Sequence, residues 1–270
     1  VKQSMIRVKS RKVPLLLQVT LLLLMVHHSA VAGYGEQYCG VTGYSCINVQ
    51  KGDSWEKLFP DETQRDVVKT LNRMNTRLRT GKTIAVPENL ENLTLMDISP
   101  FEQRIKPGEG TRLFVEQSVL AWAAYGADGR LLNWGPISGG KEYCKDVKAP
   151  CPTIPGRFVV YRKGGADCKS KKFPIGKGGA KMPYCMFYHR GYALHGSYKV
   201  PGYNDSHGCV RVPVEDARWL ASDFVNTGET IINIDQGLPA SYAEWQAAEE
   251  RRAQQQKKPK NSNSFFSWFR

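Results

Sequence analysis

Residues 206–211 read SHGCVR, and a second His-Gly pair, LHGS, occupies residues 194–197. A cysteine beside a histidine and a glycine, shortly after another histidine, has two readings. Cysteine is among the most buried residue types, and a lone histidine is commonly structural. The other reading is a thiolate nucleophile with its base. The thiolate is the reactive form, and at an ordinary pKa of about 8.5 only about 3% of a thiol is ionised at neutral pH. Activation needs a base within hydrogen-bond reach, held in turn by a third group. His207 lies two residues from Cys209, where strand neighbours point the same way but stand too far apart for good contact. His195 belongs to an earlier strand-like run and can approach across a sheet, because GSYKVPGYND (196–205) carries the Pro201-Gly202 and Asn204-Asp205 signals of a returning loop. The pattern therefore assigns Cys209 as nucleophile, His195 as base and His207 as a neighbour that shapes the site. Gly208 permits close backbone approach, and the amides around Gly208 and Cys209 are candidates for an oxyanion hole.

The rest of the chain bears on that choice. Its 270 residues suffice for one large domain or two modest ones, and 41% hydrophobic with 23% charged residues excludes wholesale disorder. The formal net charge is +13, of which Lys2, Arg7, Lys9, Arg11 and Lys12 contribute five, leaving +8 beyond residue 32. A basic surface suits nucleic acid, anionic lipid or an acidic cell-wall polymer, and charge alone does not choose among them. The N-terminus does. A basic start, the apolar run VPLLLQVTLLLLMV (Val13 to Val26) and Ala30-Val31-Ala32 have the layout of a secretory signal over residues 1–32, cleaved before Gly33. The apolar run falls short of the roughly 20 residues of a membrane span. The expectation is an exported protein of the periplasm or cell envelope with no nucleic-acid partner. Seven cysteines then gain meaning, since in an oxidising compartment they pair and an odd count leaves one over. Six fall into local couples, Cys39 with Cys46, Cys144 with Cys151 and Cys168 with Cys185, one of many pairings open to them. The seventh is Cys209.

A Cys-bounded segment (33–46) leads into residues 47–87, which read as strand, turn, two helices and strand. Asp53 and Ser54 compete as N-cap of the first helix; Val67, Val68 and Leu71 mark the second; TIAVP, ended by Pro87, is the closing strand. Through Val49, Gly52-Asp53-Ser54, Leu71-Asn72, Gly81, Ile84 and Pro87 this stretch resembles a LysM domain. The resemblance implies a βααβ module that binds N-acetylglucosamine-containing glycans, with Gly52, Asp53, Trp55 and Asn72 as candidate contacts. Residues 88–111 read as a linker. From 112 to 235 short β-like runs punctuated by Gly, Pro, Asn and Asp predict a mainly β (α+β) domain, mostly antiparallel, with one helix over Pro213 to Val225. Residues 236–270 begin as a charged helix, become polar, and end in FFSWFR, a candidate for peripheral membrane or protein contact.

Between residues 112 and 235 LHGS and SHGCVR, together with TIPGRF (153–158), KMPYCMFYHRGYALHG (181–196) and the helix-to-strand run that ends in ETIINI, resemble the L,D-transpeptidase catalytic (YkuD-type) domain. The resemblance implies an antiparallel β-sandwich with one or two helices. It also implies a cysteine acyltransferase acting on peptidoglycan stem peptides and glycan strands, without metal or organic cofactor. Cys209 would attack the stem tetrapeptide and release D-alanine, with His195 as general base and acid, oriented by the Gly196 carbonyl. His207 and Gly208 would line the oxyanion region, and Tyr184, Ser206 and Arg211 would touch substrate. Arg211 stands where asparagine is frequent. An L,D-carboxypeptidase using water as acceptor, and a non-catalytic wall-binding protein, are the alternatives. A papain-like order places cysteine before histidine, the reverse of this chain, and the arginine a sortase would need, Arg218, falls in the predicted helix.

Overall fold

The computed structural model describes residues 33–171 and 180–257. The signal-like segment 1–32 and the end of the tail, 258–270, lie outside the described residues.

The N-terminal module is built from local signals. A short 3-10 turn (Tyr34–Tyr38) is tied by the Cys39–Cys46 disulfide to β1 (Tyr44–Asn48), which pairs antiparallel with β2 (Thr83–Pro87). Ser54 caps α1 (Trp55–Leu58), its side chain accepting from the Lys57 amide at 3.2 Å. Asp53 instead accepts from the Gln50 amide at 2.8 Å, closing the turn that Gly52 makes at φ 88°. Asp61 caps α2 (Glu62–Leu71) by accepting from the Gln64 amide at 2.8 Å. α2 buries Val67, Val68 and Leu71, and Val49, Trp55, Phe59, Val68, Met74, Ile84 and Val86 form the module core. The chain leaves α2 through Arg73 at φ 55°. The buried Arg73 side chain joins its own module to the rest of the chain: Nη1 donates to the Thr70 carbonyl at 2.7 Å and Nε to the Val119 carbonyl at 2.9 Å, and the guanidinium lies 4.5 Å from the Tyr34 ring and 4.9 Å from that of Trp134.

Residues 88–111, expected to be a linker, are packed. Phe101 and Ile105 are buried, with Met96 and Ile98 beside them, against Ala121, Ala123, Tyr125, Leu131 and Trp134. Trp134 Nε1 donates to the Leu95 carbonyl and Tyr125 Oη to that of Glu102, each at 2.8 Å. This cover explains a sequence feature. β4 (Ala121–Tyr125) reads AWAAY and is buried at every position, as a strand covered on both faces must be.

β4 lies in a five-stranded sheet with β3 (Arg112–Glu116), β5 (Leu131–Pro136), β6 (Gly156–Val159) and β11 (Ile231–Ile234), in the order β5-β4-β3-β11-β6. A four-stranded sheet runs β10-β9-β8-β7, from β7 (Arg162–Lys163), β8 (Met186–His189), β9 (Tyr192–Gly196) and β10 (Val210–Val212). The two sheets enclose one core, with Leu113, Val115, Trp122 and Ile232 from the first and Met186, Leu194, Val210 and Val212 from the second. Ala217, Leu220 and Phe224 join it from α3 (Val214–Trp219) and the π turn that extends it to Phe224. Acids at Glu215 and Asp216 sit in the first turn of α3, where the helix dipole favours them. Two strand pairs depart from the antiparallel expectation. β11 runs parallel to β3 and β10 parallel to β9, because each returns after a crossover rather than a hairpin. A last helix, α4 (Tyr242–Lys257), follows β11.

Candidate active site

The short parallel pair β9–β10 sets the strand that carries His195 alongside the one that follows Cys209. Its register sets Leu194 against Val210 and His195 against Arg211. Leu194, Val210 and Val212 point into the core and are fully buried, so alternation turns His195 and Arg211 to the opposite face. Cys209 precedes β10 by one residue and is two positions from Arg211, on that same face. Its Sγ lies 3.9 Å from the Gly191 carbonyl and faces the Ala193 amide. Beneath it, Met182, Cys185, Phe187 and Ala193 make an apolar platform that also takes Cys168. Three disulfides, Cys39–Cys46, Cys144–Cys151 and Cys168–Cys185, leave Cys209 as the free thiol.

The protonation states follow from burial. His195 is 6% exposed, and its Nδ1 sits 2.9 Å from the Gly196 carbonyl oxygen. That oxygen only accepts, so Nδ1 carries the proton and Nε2 presents a lone pair. Burial lowers the imidazole pKa to about 4, with Arg211 pushing the same way and the Gly196 carbonyl opposing. At neutral pH His195 is an uncharged base. Burial raises the Cys209 pKa, against the opposing Ala193 amide and Arg211 charge. The resting groups are thus a thiol and a neutral imidazole.

The turn before Cys209 is held from within and from the β5–β6 connection. Ser206 Oγ accepts from the Gly208 amide at 3.0 Å and donates to the Cys209 carbonyl. Ser206 is buried, so its hydroxyl fixes the turn rather than meeting solvent. Gly208 adopts φ 110°, and a Cβ there would come 2.7 Å from the Tyr192 ring. Its amide is spent on Ser206, which removes it from an oxyanion hole. Thr153 Oγ1 donates to the Gly208 carbonyl at 3.0 Å. His207 sits at the rim, 2.7 Å from Asp146 on the Cys144–Cys151 loop. Cys144, Asp146 and His207 offer donor atoms within 4.8 Å of one another, but the Cys144 sulfur is bonded to Cys151, which leaves too few ligands for a metal. Arg211 reaches Asp205 at 3.5 Å, and Asp205 also pairs with Lys141 at 2.9 Å. Tyr184 is partly buried against the core at φ 56°.

Of the residues expected to meet glycan, Gly52 is exposed and Asp53 carries an ion pair to Lys57. Trp55 and Asn72 are buried. Trp55 Nε1 donates to the Thr76 carbonyl at 2.7 Å, and the Asn72 amide is spent on Val68 and Ala85 backbone. Their polarity serves the module's own turns. Sequence reasoning passed over Asp146, Asp205 and the framework role of Thr153, whose partners lie 55 to 61 residues away or on a long loop.

A buried imidazole and a free thiol thus lie on one face of the same sheet, each facing Arg211. Residues 115–234 match the family model for the L,D-transpeptidase catalytic domain, and this part of the chain is such a domain, of a cysteine-dependent family that acts on peptidoglycan. That family and the three disulfides place the protein outside the reducing cytoplasm. Similar solved structures include the L,D-transpeptidase from Xylanimonas cellulosilytica, 22% identical over 63% of this chain and 77% of that one (TM-score 0.46). The L,D-transpeptidase from Stackebrandtia nassauensis is 18% identical over 66% and 80% (TM-score 0.46), and that from Mycobacterium smegmatis 16% over 71% and 82% (TM-score 0.38). No curated protein matches the chain.

Proposed function

We propose that this protein is an exported L,D-transpeptidase in which Cys209 attacks the carbonyl after the third residue of a stem tetrapeptide. The observation that carries the reading is the Gly196 carbonyl holding His195 Nδ1, which leaves Nε2 free as acceptor on the face that presents Cys209. On attack the thiol proton passes to Nε2 as the S–C bond forms. Collapse breaks the C–N bond, and the imidazolium returns the proton to the departing D-alanine amine. The thioester then passes to an acceptor amine, whose proton goes to His195. Arg211, beside both groups, favours the thiolate over the thiol as charge develops and suits a stem carboxylate. Residues 1–32 direct export. The N-terminal module meets glycan through its turn at the exposed Gly52, since Trp55 and Asn72 face inward.

Mature protein incubated with tetrapeptide stems should show by mass spectrometry an acyl adduct on Cys209 with loss of D-alanine, absent in Cys209→Ala. No adduct in the wild type overturns the reading. An adduct resolved only by water makes the same site an L,D-carboxypeptidase.

A further inference from the structure

Asn75 belongs to the N-terminal module, yet its hydrogen bonds run to the segment joining His195 to Cys209. Its backbone N–H donates to the Val200 carbonyl at 2.9 Å, and its Oδ1 accepts from the Val200 amide at 2.9 Å. Its Nδ2 donates to the Ser197 carbonyl at 2.7 Å. Neighbouring contacts continue the clamp, with Met74 bridging Pro201 and the Tyr34 amide donating to the Gly202 carbonyl at 2.9 Å. The clamp is stiff on the module side. Asn72 is locked to Ala85 by two hydrogen bonds, and the Thr76 carbonyl is held by Trp55.

The clamped peptide groups are next to the one that orients the base. The Gly196–Ser197 peptide offers its oxygen to His195 and its N–H to the Val212 carbonyl at 2.8 Å. The following peptide, whose oxygen is that of Ser197, is the one Asn75 holds. Rotation at Ser197 would swing the Gly196 carbonyl away from Nδ1 and let water reach the imidazole. We propose that Asn75 is a positioning residue of the active site, through which the N-terminal module fixes the carbonyl that orients His195. The module is then part of the catalytic scaffold and not a unit tethered for targeting alone. This deepens the acyl-transfer reading and rests on it for the turnover measurement only.

The test uses the full chain without residues 1–32. Asn75→Ala should lower kcat with tetrapeptide stem about tenfold and move KM less than about twofold, since misplaced catalytic groups cost rate more than binding. By NMR, the His195 imidazole should titrate near 4 in the wild type and move up toward the ordinary histidine range in the variant, as water relieves its burial. Arg211, the charged group facing it, is unchanged. Val68→Ala, in the module's own core, should lower thermal stability while leaving kcat and the His195 titration as they are. Should Asn75→Ala fail to fold, Asn75→Asp keeps the acceptor for the Val200 amide, loses the donor to Ser197, and should shift His195 in the same direction. Unchanged titration in the Asn75 variants, or the same shift in Val68→Ala, overturns the proposal. Absent turnover in the wild type defeats the transferase reading and leaves the titration to decide on Asn75.

Discussion

The two halves of the connection from His195 to Cys209 are held by different chemistry. Residues 197–202 rest on neutral hydrogen bonds from Asn75 and Tyr34 in the N-terminal module. Residues 203–208 rest on the β5–β6 connection. There Ser138 Oγ donates to the Tyr203 carbonyl at 2.8 Å, Asn204 Oδ1 accepts from the Gly139 amide at 2.8 Å, and Lys141 and Asp146 pair with Asp205 and His207 beside the Cys144–Cys151 disulfide. Neutral bonds are indifferent to salt and reductant; ion pairs and disulfides are not. The base is thus set by supports that ignore solution conditions, and the approach to the nucleophile by supports that respond to them.

The largest effect lies where the halves meet. His195→Ala should reduce kcat/KM by about 10²–10⁴. In the wild type the imidazole must be neutral to accept a proton, and its pKa is lowered to about 4. Activity should therefore hold as pH falls through the ordinary histidine range and fail only on passing the folded value. An acid limb of kcat/KM near 6.5 would break the picture of a sealed base.

Next comes the responsive half. Opening the Cys144–Cys151 disulfide with a paired Cys→Ser change should cost about 2–3 kcal/mol of stability by the chain-entropy estimate and lower kcat as well. Opening Cys39–Cys46, inside the module, should cost stability with little loss of rate. Unfolding midpoints and kinetics of the two double variants check this, and equal rate losses would erase the distinction between the halves.

A third experiment tests how neutral the module side is. Asp216 of α3 is half-buried, 3.3 Å from Trp122 Nε1, and its pKa is raised to about 7, first by desolvation and further by Asp66 of α2 and by Glu215, against the Trp122 hydrogen bond. A carboxyl that holds its proton more tightly when folded loses stability as pH climbs from its unfolded value near 3.9 through 7, because the native state binds more protons in that window. Asp216→Asn should raise the unfolding midpoint at pH 8 and leave it nearly unchanged at pH 4. A wild-type midpoint flat between pH 5 and 8 would contradict this. The smallest effect is expected from Asp146→Asn at the exposed rim, a change of less than about twofold in rate that also flattens the salt dependence.

Much of the arrangement was legible where the signals are local. The two helices of the module carry their own caps at Ser54 and Asp61, and the strand runs of β3 to β6, β8, β9 and β11 are β-like runs bounded by turn residues. Cys209 and His195 were legible because a thiol needs a base and His207 stands too close in sequence to serve, leaving the histidine of the preceding strand run. What escaped is non-local. The three residues of β10 are too few to show a period, and their parallel pairing with β9 leaves no mark in either strand. Phe101 and Ile105 read as linker because their partners lie on a sheet face that sequence does not declare exposed. Trp55 and Asn72 looked like sugar contacts by residue type, but burial turned their donors to backbone.

Arg73, its guanidinium sandwiched by Tyr34 and Trp134, bears on modularity. An N-terminal module without Arg73, grafted onto the β domain, would bring no cation to that slot, stranding the Val119 carbonyl and baring an indole. Swapping such units should therefore succeed only when the donor supplies an arginine in the same left-handed turn.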